Sequence, residues 1–289
     1  MGTVIEETAL AKGRWRYRHS ALGLAVKAAR RCLDGAGRDA DDVDLLINAG
    51  VYRDRNLGEP ALAAMIQQDI GANPEEPHAG SHGTFSFDVV NGPCGVLTAL
   101  QVVDGFLRAN AIDWALIVAS DADPGHGMSE RFPFSPAGGA LLCTRSGDDR
   151  GLGRPYWVNK NDVRECYSAT VGMVDHRNVL RVFNDDSADE AFAEAAARAA
   201  GDCLNASSLS VADIDAIVAA PARTRYRAAL AAKLNVPQDR VTVADDERMH
   251  TASLVAALAR VRSEARPGAR LLVVAAGAGV TAGAALYRV

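Results

Sequence analysis

Short continuous apolar runs alternate with Ala-rich helical stretches along this chain. Phe85–Val90, Trp114–Ser120 and Ala137–Thr144 read as strands, and so do Val241–Ala244, Leu271–Ala276 and Val280–Val289. Strands apolar at both alternate positions are buried on both faces, so the pattern predicts an α/β layered fold. Cys94–Arg108 and His250–Arg262 read as helices between them. Residues 94–100 and 252–258 are apolar almost all round, which predicts buried rather than amphipathic helices. Tyr156–Asn184 has strand-like pieces of weaker periodicity and is expected to hold an irregular loop.

The pattern is written twice. AARRCLDGAGRDADDVDLLINA (Ala28–Ala49) is echoed by AAGDCLNASSLSVADIDAIVAA (Ala199–Ala220), with one offset of 171 residues at both ends (203 − 32 and 215 − 44). Each copy is an Ala-rich helix, a turn of Gly or Ser, an Asp pair and an apolar strand. Ala61–Ala64 and Ala229–Ala232 continue the echo, and the strands and helices named above follow in the same order. A repeat of this kind makes each copy one structural unit. Two such halves sharing an interface predict a five-layer α-β-α-β-α sandwich, with the seam at Gly151–Gly153 dividing residues 1–153 from 154–289.

Composition narrows the function classes. The 289 residues carry 31 Lys and Arg against 36 Asp and Glu, a formal charge of −5, with only short basic clusters at Arg14–Arg18 and Arg223–Arg227. That argues against a nucleic-acid binder, which shows a basic stripe. Five cysteines without a C-x-x-C pair indicate neither a disulfide framework nor a zinc knuckle. Met1–Leu10 is acidic rather than basic then apolar, and the apolar run Leu271–Leu286 is shorter than the roughly 20 residues of a membrane helix. The expectation is a reduced, cytoplasmic protein.

Cys94 is the leading chemical candidate. It follows the turn Asn91-Gly92-Pro93 and opens a buried helix. There the dipole and free N–H groups favour a thiolate, which makes a nucleophile without a charged neighbour. His250 opens the matching helix of the second half. If the halves pack about a pseudo-dyad the two helix starts converge, and His250 is within reach of Cys94. Cys32, Cys143 and Cys203 read as small core residues.

FDVVNGPCGVLTALQVVDGFLRANAIDWALIVASD (Phe87–Asp121) resembles the nucleophile region of the β-ketoacyl-acyl-carrier-protein synthase III family, in the thiolase superfamily. Phe134–Ala140 is similar to the family's Phe-Gly-Asp-Gly-Ala-Gly-Ala strand. Ile214–Arg225 resembles the strand and turn of its His-Gln-Ala-Asn motif, Asp245–Ser253 its asparagine loop, and Gly277–Arg288 its closing glycine-rich strand. The resemblance covers most of the chain and implies the thiolase fold, a homodimer paired through the sheet edge of the first half, and no permanently bound cofactor. It also implies an acyl thioester of coenzyme A or acyl-carrier protein as substrate.

Departures from the family pattern limit the chemistry. Ala220, Pro221, Ala222 and Arg223 stand where the motif has His, Gln, Ala and Asn. Met249-His250-Thr251 stands in the asparagine loop, so His250 or, with a gap elsewhere, Arg248 takes the asparagine's place. The family's first strand and the loop that helps hold the coenzyme A nucleotide are shortened or absent before Arg18. Acyl transfer needs a thiolate, a backbone oxyanion hole and a base. By the resemblance these are Cys94, the N–H groups of Cys94 and Ala278, and His250, with Gly277, Gly279 and Arg225 contacting substrate. Decarboxylative condensation needs two neutral donors at one oxygen, each worth about 3–4 kcal/mol, and only His250 remains. The expected function is an acyltransferase of specialised, polyketide- or fatty-acid-like metabolism that loads Cys94 and passes the acyl group to an O, N or S acceptor. The alternatives are an inert thiolase-fold subunit completing a heterodimer with an active paralogue, and a condensing enzyme using a Cys–His dyad alone.

Other motifs carry less. Gly277-x-Gly279 with Gly283 lacks the dinucleotide spacing and precedes a strand. Asp121, Asp123 and His126 read as a loop with solvated carboxylates rather than metal ligands. His78 and His82 read as parts of a mobile loop. No G-x-S-x-G elbow exists, and nothing near Cys166 would activate it.

Overall fold

The computed structural model describes all residues except 1, 14–17, 74–82, 161–165 and 186, and not the side chain of Ala278. His78 and His82 lie outside the described residues, as do most of the basic residues of the Arg14–Arg18 cluster.

The first half runs β1 (Thr3–Lys12), α1 (Ala21–Ala36), β2 (Leu45–Asn48), α2 (Leu62–Ile70), β3 (Phe85–Asp88), α3 (Gly95–Arg108), β4 (Trp114–Asp121), β5 (Ala137–Arg145). The short strand β6 (Gly151–Leu152) lies at the seam, and the second half runs β7 (Tyr156–Asn159), the hairpin β8 (Tyr167–Val174) and β9 (Arg177–Asn184), α4 (Ala188–Ala206), β10 (Ala216–Ala220), α5 (Thr224–Lys233), β11 (Val241–Thr242), α6 (Ser253–Glu264), β12 (Arg270–Gly277), β13 (Thr281–Arg288). Strand order in the first half is β1-β5-β4-β2-β3; in the second, β6 and β7 pair β13, and the order continues β13-β12-β10-β11. In both, the outer pairings (β4 with β2, β2 with β3; β12 with β10, β10 with β11) are parallel and the inner ones antiparallel. The sequence echo is therefore a duplicated topology.

Side-chain alternation along each strand builds the layers. Leu45, Ile47, Ala115, Ile117, Leu141 and Cys143 face a central core that also holds Val218, Val273 and Ala285 of the other half. Their neighbours Leu46, Leu116, Leu142 and Ala140 face an outer core with α1 and α2. In the second half Ile217, Leu272, Val274 and Ala284 face α4 and α5. Helices α3 and α6 fill the central core, so this is the thiolase fold as a five-layer α-β-α-β-α sandwich. Close approach there requires Gly139 in β5, where an added Cβ would meet Val255 Cβ of α6 at 2.9 Å.

Three expectations are corrected. The first strand is present: β1 pairs β5 from Thr3 to Lys12, and only the eight residues 13–20 join it to α1. Tyr156–Asn184 is more regular than expected: its strand-like pieces are β7 and the β8–β9 hairpin, and residues 161–165 between them lie outside the described residues. Finally, α6 starts at Ser253, because the His250 carbonyl accepts the Ser253 N–H (3.0 Å) and residues 250–252 form a turn.

Candidate active site

A cavity of about 290 Å³ opens between the halves. Its walls are mainly apolar, with Val51, Val90, Pro93, Phe192 and Met249 among them, and the wall nearest α3 is the Gly92–Pro93 turn. Its polar side chains are His250, the phenols of Tyr52 and Tyr167, which bond to each other, Asn91, Ser168, Arg223 and Glu247.

His250 sits in the turn ahead of α6 and is 8% exposed. Its ring packs against Phe134 (centroids 4.2 Å apart) and Tyr52 (5.2 Å), which fixes its plane. The Cε1–Nε2 edge faces Gly92, with both atoms 3.8 Å from where a Cβ would stand on that glycine. The other nitrogen, Nδ1, lies 3.5 Å from Asp121 Oδ2. Asp121 ends β4 and is 2% exposed, so the reading of a solvated loop carboxylate is corrected. Its carboxyl accepts the N–H groups of Val51 (3.2 Å) and Tyr52 (3.0 Å) on one oxygen, and the N–H (2.8 Å) and hydroxyl (2.5 Å) of Thr251 on the other. Burial pushes its pKa up, but the imidazole and these donors outweigh burial and hold it below the ordinary value. Sequence reasoning missed Asp121. The one available signal was its place at the end of an apolar strand.

Cys94 closes the turn Gly92–Cys94, one residue before α3, and is completely buried. It is not among the residues lining the cavity. Its thiol donates to the Thr281 carbonyl (3.5 Å), and the sulfur lies 3.7 Å from where a Cβ would stand on Gly277, a residue of the cavity wall. Burial pushes the thiol up to about 12 from an ordinary 9.0. Burial therefore raises the Cys94 thiol, and the turn places it at the start of α3, as expected. The Cys94 N–H donates to the Asn91 carbonyl (3.0 Å) within this turn.

Comparison with known proteins follows this geometry. The family model "3-Oxoacyl-[acyl-carrier-protein (ACP)] synthase III C terminal" matches residues 204–289. The β-ketoacyl-[acyl-carrier-protein] synthase III of Sphingopyxis alaskensis is 30% identical, over 99% of this chain and 89% of its own. That of Paramagnetospirillum magneticum is also 30% identical, over 92% and 83%. The chain belongs to the β-ketoacyl-acyl-carrier-protein synthase III family. With that membership it stands among the acyl-transferring and condensing enzymes of the thiolase fold. Two solved structures bear out the fold: the synthase III of Aquifex aeolicus (TM-score 0.81, 20% identity, 100% of both chains) and Xanthomonas campestris OleA (TM-score 0.83, 16% identity, 100% of this chain and 99% of that one).

Within this family member the other anticipated site residues are scattered. Gly277 lines the cavity, packed against Pro93; Gly279 and Arg225 are exposed and do not line it. The basic residue at the cavity is Arg223, ion-paired to Asp189 (2.6 Å). Arg225 is one residue into α5 and exposed. Ala278 begins the short turn after β12. Arg248 is exposed, its guanidinium donating to the Pro133 carbonyl, so of the two candidates for the asparagine's place His250 is the one at the cavity. Ala220 ends β10 fully buried and offers no side-chain donor. No group of metal-ligating side chains occurs among the described residues, and none of their helices is long and apolar enough to cross a membrane.

Proposed function

We propose that this chain binds an acyl thioester of coenzyme A or an acyl-carrier protein and transfers the acyl group to an oxygen, nitrogen or sulfur acceptor, with His250 as base. The observation that carries this reading is an imidazole held edge-on to the Gly92–Pro93 wall of a mainly apolar cavity. Apolar walls suit an acyl chain, and a base within reach of the reacting carbonyl suits proton transfer. Arg223 suits the polar arm of the thioester. Condensation is disfavoured because Ala220 leaves the enolate without a second donor. In this reading residues 1–153 supply the Gly92–Pro93 wall and Asp121, and 154–289 supply His250 and the facing wall with Phe192 and Met249. Five free, buried cysteines support a reducing, cytoplasmic setting.

A homodimer through β3 accompanies the proposal. That strand ends the sheet, with Phe85 60% exposed, and Val90 just beyond it 62% exposed. An apolar free edge is a template for a second chain.

One observation favours a different reading, an inert subunit of a heterodimeric synthase: the cysteine is withdrawn from the cavity. The deciding experiment follows thiol release from acetyl-, octanoyl- and palmitoyl-coenzyme A and from acyl-carrier proteins, with water and hydroxylamine as acceptors. The proposal expects release from wild type and a loss of about 100-fold or more in His250→Ala. No release from any donor by the protein alone favours the inert subunit.

A further inference from the structure

We propose that the hydrogen-bonded phenols of Tyr52 and Tyr167 select the acyl acceptor: the O–H of Tyr167 donates to one lone pair of an acceptor hydroxyl while His250 takes its proton and its second lone pair attacks the thioester. The acceptor is therefore an alcohol rather than an amine or a thiol. This assignment rests on the acyltransferase reading above and narrows the acceptor it allows.

Three observations carry it. The first is a count of hydrogens. The two hydroxyl groups bond to each other, so one of their two hydrogens lies between the oxygens and the other has no acceptor among the described residues. Tyr52 is 4% exposed, its ring stacked on Phe134 (centroids 5.1 Å apart) and edge-on to Phe132 (5.6 Å), whereas Tyr167 is less buried. Tyr52 thus donates to Tyr167, and the O–H left over belongs to Tyr167, at the cavity. A donor held out of water without a partner is unfavourable, and a ligand oxygen that accepts from it removes that penalty.

The second is position. Tyr52 belongs to the first half and Tyr167 to the second, and their bond bridges the halves in the wall of the cavity that holds His250. The Tyr52 ring lies 5.2 Å from the imidazole, centroid to centroid. Nδ1 is on the Asp121 side of that imidazole, which leaves the Nε2 edge for the acceptor's proton. A hydroxyl in this cavity meets a base and a donor together.

The third is the state of the phenols. Burial, the largest influence on each, raises both, and the Asp121 carboxylate raises them further, against a smaller opposing pull of Arg223 on Tyr167. Both stay protonated throughout the neutral range, so the pair donates a hydrogen bond and does not compete with His250 for the proton.

The choice of acceptor follows from lone pairs. A hydroxyl oxygen has two, one to accept from Tyr167 and one to attack; an amine has a single pair for both tasks, and sulfur accepts hydrogen bonds weakly. In the step, the alcohol gives its proton to Nε2 as its oxygen bonds to the thioester carbonyl carbon, whether that thioester is the donor's or an acylated Cys94. The carbonyl then re-forms, the C–S bond breaks, and the departing thiolate takes the proton from Nε2. The products are an ester and a free thiol. Tyr167 touches the acceptor, and Tyr52 is a positioning residue, because it acts through Tyr167.

The test supplies octanoyl-coenzyme A with propan-1-ol, propan-1-amine or propane-1-thiol and reads the octanoyl product by mass spectrometry against an enzyme-free background. Wild type is expected to show its largest enhancement over background with the alcohol. Tyr167→Phe raises KM for the alcohol about 3- to 10-fold, the range for one hydrogen bond, and keeps thiol turnover within about twofold, a split that lost structure alone would not produce. Tyr52→Phe, which leaves the Tyr167 hydroxyl in place without its partner, raises KM for the alcohol by a smaller factor with kcat little changed. Should Tyr167→Phe melt early, Tyr52→Phe and the wild-type acceptor preference decide. Equal changes for alcohol and thiol in Tyr167→Phe, or none, overturn the assignment. So does a Ser168→Ala protein that raises KM for the alcohol where Tyr167→Phe does not, since Ser168 is the other aliphatic or phenolic hydroxyl in reach of the cavity. Wild type that acylates the amine or the thiol but not the alcohol also overturns it and leaves the acyltransferase reading standing. Absence of turnover with every acceptor ends both.

Discussion

A methyl group placed on Gly277 would meet the ring Cδ of Pro93 at 3.0 Å and the sulfur of Cys94 at 3.7 Å. The end of β12 and the cavity wall are therefore packed against each other through a missing side chain. Gly277→Ala is expected to push the Pro93 turn into the cavity. The cost is about 1–3 kcal/mol of stability, as for other overpacked sites, together with weaker binding of long acyl chains relative to short ones. Chemical denaturation and KM values for acetyl- and palmitoyl-coenzyme A measure the two effects; equal KM changes for both donors would contradict the cavity assignment.

The buried thiols make a second expectation. Cys32 and Cys94 are pushed up to about 12 and Cys203 to about 11, in each case chiefly by burial, and Cys143 and Cys166 are also raised. At neutral pH the thiolate fraction of Cys94 is on the order of one in ten thousand or less. Iodoacetamide should label it slowly in the folded protein and rapidly after denaturation, as read by peptide mass mapping. Fast native labelling at Cys94 would refute the raised pKa.

Asp121 links stability to pH with a definite sign. Its carboxyl titrates below its ordinary value in the folded state, so its stabilising contribution is fully present above the unfolded value, roughly 3.9, and disappears as pH falls through the folded one. Asp121→Asn should be less stable than wild type at neutral pH by about 1.5–3 kcal/mol, the range for a hydrogen bond to a charged group. The gap should narrow as the solution is acidified below the unfolded value. Urea titrations across that range provide the check; a gap that widens on acidification has the wrong sign.

Arg223 and Arg225 are two residues apart, yet only the first lines the cavity. Arg223→Ala should raise KM for coenzyme A thioesters and lower stability, since Asp189, 11% exposed at its side chain, loses an ion partner. Arg225→Ala, on the exposed side of α5, should change stability within about 0.5 kcal/mol and leave KM near wild type. Steady-state kinetics on the pair discriminates; a larger KM effect at Arg225 would restore the substrate contact first expected there.

Phe85→Lys places a charge on the free edge of β3. If two chains join there, the variant should elute as a monomer while wild type elutes as a dimer, with mass measured by light scattering. Identical masses would exclude this edge.

Much of the architecture was legible in the sequence because it is repeated. The Cys32 and Cys203 helices, and the strands after each Asp pair, occupy matching places in the two halves, and burial on both faces leaves an unmistakable apolar run. The site was less legible. Successive residues of a helical turn point about 100° apart, so whether 93 or 94 faces the cavity depends on the turn's rotation, which composition does not encode. Pro93 took the wall and Cys94 the core. Asp121 looked like a loop carboxylate because its four donors, from Val51, Tyr52 and Thr251, come from distant parts of the chain. The β8–β9 hairpin showed only as strand-like pieces because one layer of it is open to water, with Met173 73% exposed.

The central core mixes residues of both halves: Ile117 and Leu141 share it with Val218, Val273 and Leu258. A gene cut near the seam would thus yield two fragments, each with one flank of its sheet and one helix stripped of their natural covering. Neither piece inherits a finished interior, so substitutions in either half are answerable to the other.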